Sequence, residues 1–167
     1  MPRQAGTTCA PVQLCAVLAS PQSHDKKPNS MRDMAPLRTY IVEDNPVILE
    51  TLTETLEELA PVHVVGSASE ERVAVNALRD NAAEIDLVII DLFLAAGSGL
   101  SVLRSAWAMQ LRAKRVVLTN YATPDIRLRC AALGADRVFD KSSEIESLID
   151  YCGKLSEGAT TVPGLLR

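Results

Sequence analysis

From residue 37 onward, short apolar runs alternate with longer stretches whose apolar residues recur every three or four positions. The runs at 38–42, 62–65, 87–90, 115–118 and 137–139 read as strands, and the stretches that follow them read as amphipathic helices. In the first such helix, Ile48, Leu49, Leu52, Leu56 and Leu59 share helical spacing, while Glu50, Glu54, Glu57 and Glu58 occupy the other faces. Five alternations of this kind predict a doubly wound α/β domain built on a five-stranded parallel sheet. Segment 87–90 is the most apolar and is expected at the centre, where helices cover both faces.

Residues at the joints sharpen the boundaries. Asn45 followed by Pro46 predicts an N-cap and a first helical position. Pro61 stops that helix. Ser67 and Glu70 have the spacing of a capping box ahead of Val73, Ala74, Ala77 and Leu78. Gly97-Ser98-Gly99 predicts a turn into a helix carrying Leu100, Leu103, Trp107 and Leu111. Pro124 opens a fourth helix, and Gly134 closes it as the residue after the cap. Ser143 and Glu146 predict a second box, with Ile145, Leu148, Ile149 and Cys152 on the inner face of the last helix.

Residues 1–36 follow neither period. Pro2, Pro11, Pro21, Pro28 and Pro36, with Gln, Ser and Thr between them, predict a disordered leader. Its apolar stretch at 15–19 is too short for an export signal. Met31 and Met34 stand just before the periodic region, so translation is expected to start at one of them, making the leader a start-site artefact. The folded unit is expected over 37–156, with a flexible tail over 157–167.

Charge is unevenly spread. The leader holds four Lys/Arg against two Asp/Glu, and the remainder thirteen against nineteen, for a net charge of −4. An acidic domain with no basic run is a poor binder of nucleic acid. No apolar stretch nears the roughly 18–20 residues that cross a bilayer, so no membrane contact is expected. The cysteines form no CxxC pair, and Cys130 and Cys152 fall in helical patterns as core residues. His24 lies in the leader. His63 lies in a strand and is read as structural.

Four strand ends each carry a reactive side chain. Glu43 and Asp44 follow the first strand, Asp91 the third, Thr119 the fourth and Lys141 the fifth. Open α/β sheets bind ligands just beyond the carboxyl ends of their strands. Three carboxylates, a hydroxyl and an ammonium are therefore expected in one crevice. Singly, each has an ordinary explanation: a carboxylate after a strand often caps a helix, and a lysine often serves only as a solvated surface group. Together they suit an aspartate that accepts a phosphoryl group with the help of Mg²⁺.

On these motifs and their succession, residues 38–155 resemble a response-regulator receiver domain, the phosphorylatable module of two-component signalling. The resemblance implies a flavodoxin-like (βα)5 fold with sheet order 2-1-3-4-5. It implies Asp91 as the phosphoacceptor and Glu43, Asp44, Asp91 and the backbone carbonyl of Phe93 as Mg²⁺ ligands. Asp44 would be a direct ligand, and Glu43 would act partly through water. Lys141 and Thr119 would bind phosphoryl oxygens.

The implied function is that of a stand-alone cytoplasmic response regulator of bacterial type. It would take a phosphoryl group from a sensor histidine kinase or a phosphotransfer protein and signal to a downstream protein by contact. The implied contact surface is the fourth helix, fifth strand and fifth helix, including Ile126, Arg127 and Tyr151, with a phosphorylation-dependent homodimer as one outcome. Such a protein is no enzyme beyond promoting its own phosphorylation and dephosphorylation. The alternative is the receiver part of a DNA-binding transcriptional regulator whose output domain is absent from this chain. A small α/β phosphatase is disfavoured, because those enzymes place a second aspartate where this chain has Phe93.

The chain departs from the family pattern in places. Ser142 stands where many receivers have proline, and the loop after Asp91 also lacks the usual proline. Val138 occupies the switch position that is often aromatic, while Phe139 comes one place later and should point to the opposite face. Tyr121 either substitutes as the moving aromatic or simply covers the site. Phe93 and Tyr121 offer bulk and no carboxylate or amide to orient water, so slow autodephosphorylation is expected.

Overall fold

The computed structural model describes residues 35–160. The readings of residues 1–34, including the start site and His24, lie outside the described residues, as do those of 161–167. The elements are β1 (Leu37–Val42), α1 (Pro46–Leu59), β2 (Val62–Ala68), α2 (Glu71–Asp80), β3 (Leu87–Ile90), α3 (Gly99–Ala108), β4 (Lys114–Thr119), α4 (Pro124–Ala132), β5 (Arg137–Asp140) and α5 (Ile145–Thr160). The strands form one parallel sheet in the order β2-β1-β3-β4-β5. β3 is at its centre and every residue of it is buried, as its unbroken apolar run predicts.

Alternation along the strands divides the core into two layers. Tyr40, Val42, Val88, Ile90 and Val117 face α2, α3 and α4, where Leu78, Leu103, Ala106 and Cys130 meet them. Ile41, Leu87, Ile89, Val116, Leu118 and Phe139 face α1 and α5 and pack against Leu52, Leu56, Leu148 and Cys152. Cys130 and Cys152 are free and fully buried. Burial pushes the Cys152 thiol up to about 12, so it packs as a small apolar group. His63 is exposed and its Nδ1 lies 3.2 Å from Glu57 Oε1.

Several joints form as expected. The Asn45 side chain accepts from the backbone N–H of Val47 and Ile48, with Pro46 opening α1. Gly134 follows the cap of α4 with φ +92°.

Others differ from the sequence reading. β2 runs three residues past 65, because a register shift at Thr39/Tyr40 lets Gly66, Ser67 and Ala68 pair with Tyr40, Ile41 and Val42. Ser67 is thereby a strand residue, and α2 begins after Glu70 without a side-chain cap. α5 begins at Ile145, with the Glu144 carbonyl accepting from Leu148 N, so the box read at Ser143 and Glu146 is out of register by one. The same helix reaches Thr160, four residues into the stretch read as tail. α3 ends at Ala108, and Gln110 at φ +53° turns the chain so that Leu111 is buried from the return loop.

Candidate functional site

The crevice lies at the carboxyl ends of β1, β3, β4 and β5, and the sheet itself aligns its members. Asp91 N donates to Val42 O (2.8 Å), Glu43 N to Ala68 O (2.9 Å) and Lys141 N to Thr119 O (3.1 Å). These bonds carry the parallel ladder one step beyond the strands. Glu43, Asp44 and Asp91 converge, with one carboxylate oxygen of each within 4.8 Å of the others. Glu43 and Asp91 are buried while Asp44 is exposed at the mouth.

Lys141 Nζ bridges the two buried carboxylates, at 2.5 Å from Glu43 Oε2 and 2.7 Å from Asp91 Oδ2. Burial opposes its charge, but the hydrogen bonds to Asp91 and Glu43 outweigh that and hold its pKa above the ordinary lysine value. Three carboxylates and one ammonium leave two formal negative charges in the crevice. An all-oxygen acidic set with that balance suits a hard divalent cation.

Thr119 is fully buried, and its hydroxyl oxygen accepts from Tyr121 N (3.3 Å). Its own proton has no acceptor among the described residues, so the hydroxyl remains available as a donor. Phe93 and Tyr121 lie beside the mouth, both more than half exposed, with ring centroids 5.0 Å apart and planes inclined by 58°. Of the two readings of Tyr121, this contact fits a covering residue. Val138 packs toward α2–α4, whereas Phe139 is buried on the other face with its ring 5.9 Å from Tyr151. The one-residue shift therefore does put the aromatic on the opposite side of β5.

Two supports were not visible in the sequence. Glu71 on α2 accepts from Ser98 N (2.9 Å) through Oε2, while its own N donates to Ala96 O (2.9 Å), bracing the loop after Asp91. Gly97, at φ +86°, leaves room for that carboxylate: a Cβ there would lie 2.4 Å from Glu71 Cβ. Arg127 on α4 donates to Ala122 O (3.0 Å), Val138 O (2.6 Å) and Glu144 Oε2 (2.6 Å). The same Glu144 oxygen accepts from Asp140 N (2.7 Å). These bonds strap the loop after Thr119 to the strand end before Lys141. Neither residue belongs to a local motif, because their partners are distant in sequence.

Residues 39–152 match the family model described as response regulator receiver domain. Among curated proteins, the chain is 30% identical over 102 residues to a protein-glutamate methylesterase/protein-glutamine glutaminase of Azospirillum brasilense, covering 60% of this chain and 25% of that protein. It is 29% identical over 122 residues to the transcriptional regulatory protein YvfU of Bacillus subtilis, covering 73% of this chain and 60% of that one. The chain thus spans a quarter of the first relative and less than two thirds of the second. A response regulator from Burkholderia pseudomallei, solved with a phosphorylated aspartic acid, a calcium ion and citrate, superposes with a TM-score of 0.59 at 26% identity. That superposition covers 78% of this chain and 77% of the other.

Proposed function

The chain belongs to the response-regulator receiver family of two-component systems, and we propose on that footing that it is a phosphorylation switch whose acceptor is Asp91. The observation that carries this reading is the Lys141 bridge to Asp91 and Glu43, with Asp44 beside it at the mouth. Lys141 orients the Asp91 carboxylate and offsets its charge, leaving an oxygen to attack phosphorus. The new bond joins Asp91 Oδ to phosphorus, while the P–N bond of a phosphohistidine or the P–O bond of acetyl phosphate breaks. Lys141 and the free proton of Thr119 then bind two phosphoryl oxygens.

Glu43, Asp44, Asp91 and the Phe93 carbonyl are the proposed Mg²⁺ ligands. When bound, the ion neutralises charge on the transferring group. Thr119 reaching for the phosphoryl group draws in the loop that holds Tyr121 and Ala122. The partners we propose are a histidine kinase or phosphotransfer protein upstream and a target protein downstream, met through α4, β5 and α5. No helix among the described residues is long and apolar enough to cross a membrane, and we place the protein in the cytoplasm. Receivers are not enzymes in themselves, and no further activity is assigned.

Phosphorylation with acetyl phosphate and Mg²⁺ followed by peptide mapping tests the site. The label is expected on the peptide containing Asp91, and a label on Glu43 or Asp44 instead overturns the assignment. The similarity to YvfU favours a second reading, in which this receiver controls a DNA-binding domain. Coding sequence for such a domain in frame after residue 167 would establish it, and a stop codon there would remove it.

A further inference from the structure

The acidic residues of this chain are segregated. Residues 37–91 hold twelve Asp/Glu against three Lys/Arg, whereas 92–135 hold six Lys/Arg and Asp125 as the single acid. Within the second stretch, Lys114 and Arg115 pair with Asp136, and Arg127 pairs with Glu144. Arg104 on α3 and Arg129 on α4 are exposed and have no carboxylate partner among the described residues. They line a groove of about 390 Å³ between the two helices, whose apolar walls are Leu100, Ala132 and Leu133.

One helical turn beyond Arg104 stands Trp107, the protein's sole tryptophan, with 57% of its surface exposed. It flanks a second hollow of about 470 Å³ shared with Leu111 and Arg115. The ring is fixed on two sides. The Arg115 guanidinium lies 5.2 Å from its centroid, and Gly134 packs so closely that a Cβ there would lie 2.4 Å from Trp107 Cε3. A rigid exposed aromatic loses little freedom on binding, and tryptophan with arginine is the composition of binding hot spots. Unpaired arginines beside it favour a carboxylate-bearing partner. Two unpaired arginines in this groove, on a protein of net charge −4, are too few to hold a phosphate backbone well.

We propose that the α3–α4 face is a docking site for an acidic segment of a partner protein, a carboxylate lying between Arg104 and Arg129 and an apolar side chain against Trp107. This surface is on the α3 side of α4, away from the α4–β5–α5 face, and its use does not depend on the phosphoryl reading.

Because Trp107 is the sole tryptophan, its fluorescence reports occupancy directly. The probe is a twelve-residue peptide of Glu and Leu, titrated into the full chain at low salt, with a Lys and Leu peptide and a twelve-nucleotide oligothymidylate as controls. A saturable blue shift with the Glu peptide alone, weakened at least tenfold in the R104E/R129E variant and by added salt, is expected. Circular dichroism checks that the variant, altered only at exposed positions, keeps its fold. No saturable shift, or equal binding by the variant, overturns the proposal. Arginine-dependent binding of the oligothymidylate in place of the Glu peptide also overturns it, making the face a nucleic-acid site.

Discussion

Gly99 shows how tightly single positions around Asp91 are set. A Cβ at that position would lie 1.9 Å from the Asp91 carbonyl oxygen and 2.7 Å from Leu92 Cα, both rigid backbone. Gly99→Ala must therefore displace the backbone at Asp91 and Leu92. It is expected to cost about 1–3 kcal/mol or more, read as a lower urea midpoint. A midpoint equal to wild type would show that the contact relaxes freely. Phe93 makes the second case. With Tyr121 it walls the mouth and offers no group to orient water, so Phe93→Asn is expected to speed phosphate loss by on the order of tenfold, about 1.4 kcal/mol of barrier. Phosphate lifetimes unchanged by that substitution would refute the expectation. The strand-end placement of Glu43, Asp44, Asp91, Thr119 and Lys141 was legible because each ends an apolar run or stands within two residues of one. Glu71 and Arg127 were not, because they act on residues that only the folded chain brings near.

Between elements, carboxylates tie the ends together. Asp86 accepts from the Arg38 guanidinium and backbone, which holds its carboxyl below the usual range. Arg127 and the Asp140 backbone N–H do the same for Glu144. A carboxyl depressed in the folded state contributes stability above its unfolded pKa, and loses it as pH falls through the folded one. Stability is therefore expected to fall below about pH 4, and urea midpoints measured from about pH 6 down to about pH 3 should decline less steeply in Asp86→Asn. Parallel declines in both proteins would contradict this. Both salt bridges are partly exposed, so each contributes modestly at neutral pH. Two of the element boundaries misread in the sequence, the starts of α2 and α5, have a common cause. Capping spacings are local signals, and both were overridden: Ser67 by pairing of β2 with β1, and Ser143 by the start of α5 two residues later.

For the molecule as a whole, the alternation of apolar runs and amphipathic stretches was enough to indicate the number of layers and the parallel sheet, because both faces of each central strand must be covered. The strand order came from the family resemblance and agrees with the fold. The basic α3–α4 face was not legible, since net charge hides where charges gather. The central claim is that this assembly delivers a phosphoryl group to Asp91. Intact mass after incubation with acetyl phosphate, with and without Mg²⁺, tests it on wild type and Asp91→Ala. The account predicts a gain of one phosphoryl group that requires the ion and disappears in the variant. An equal gain in Asp91→Ala, or none in wild type even with its phosphorylated donor protein, would contradict it.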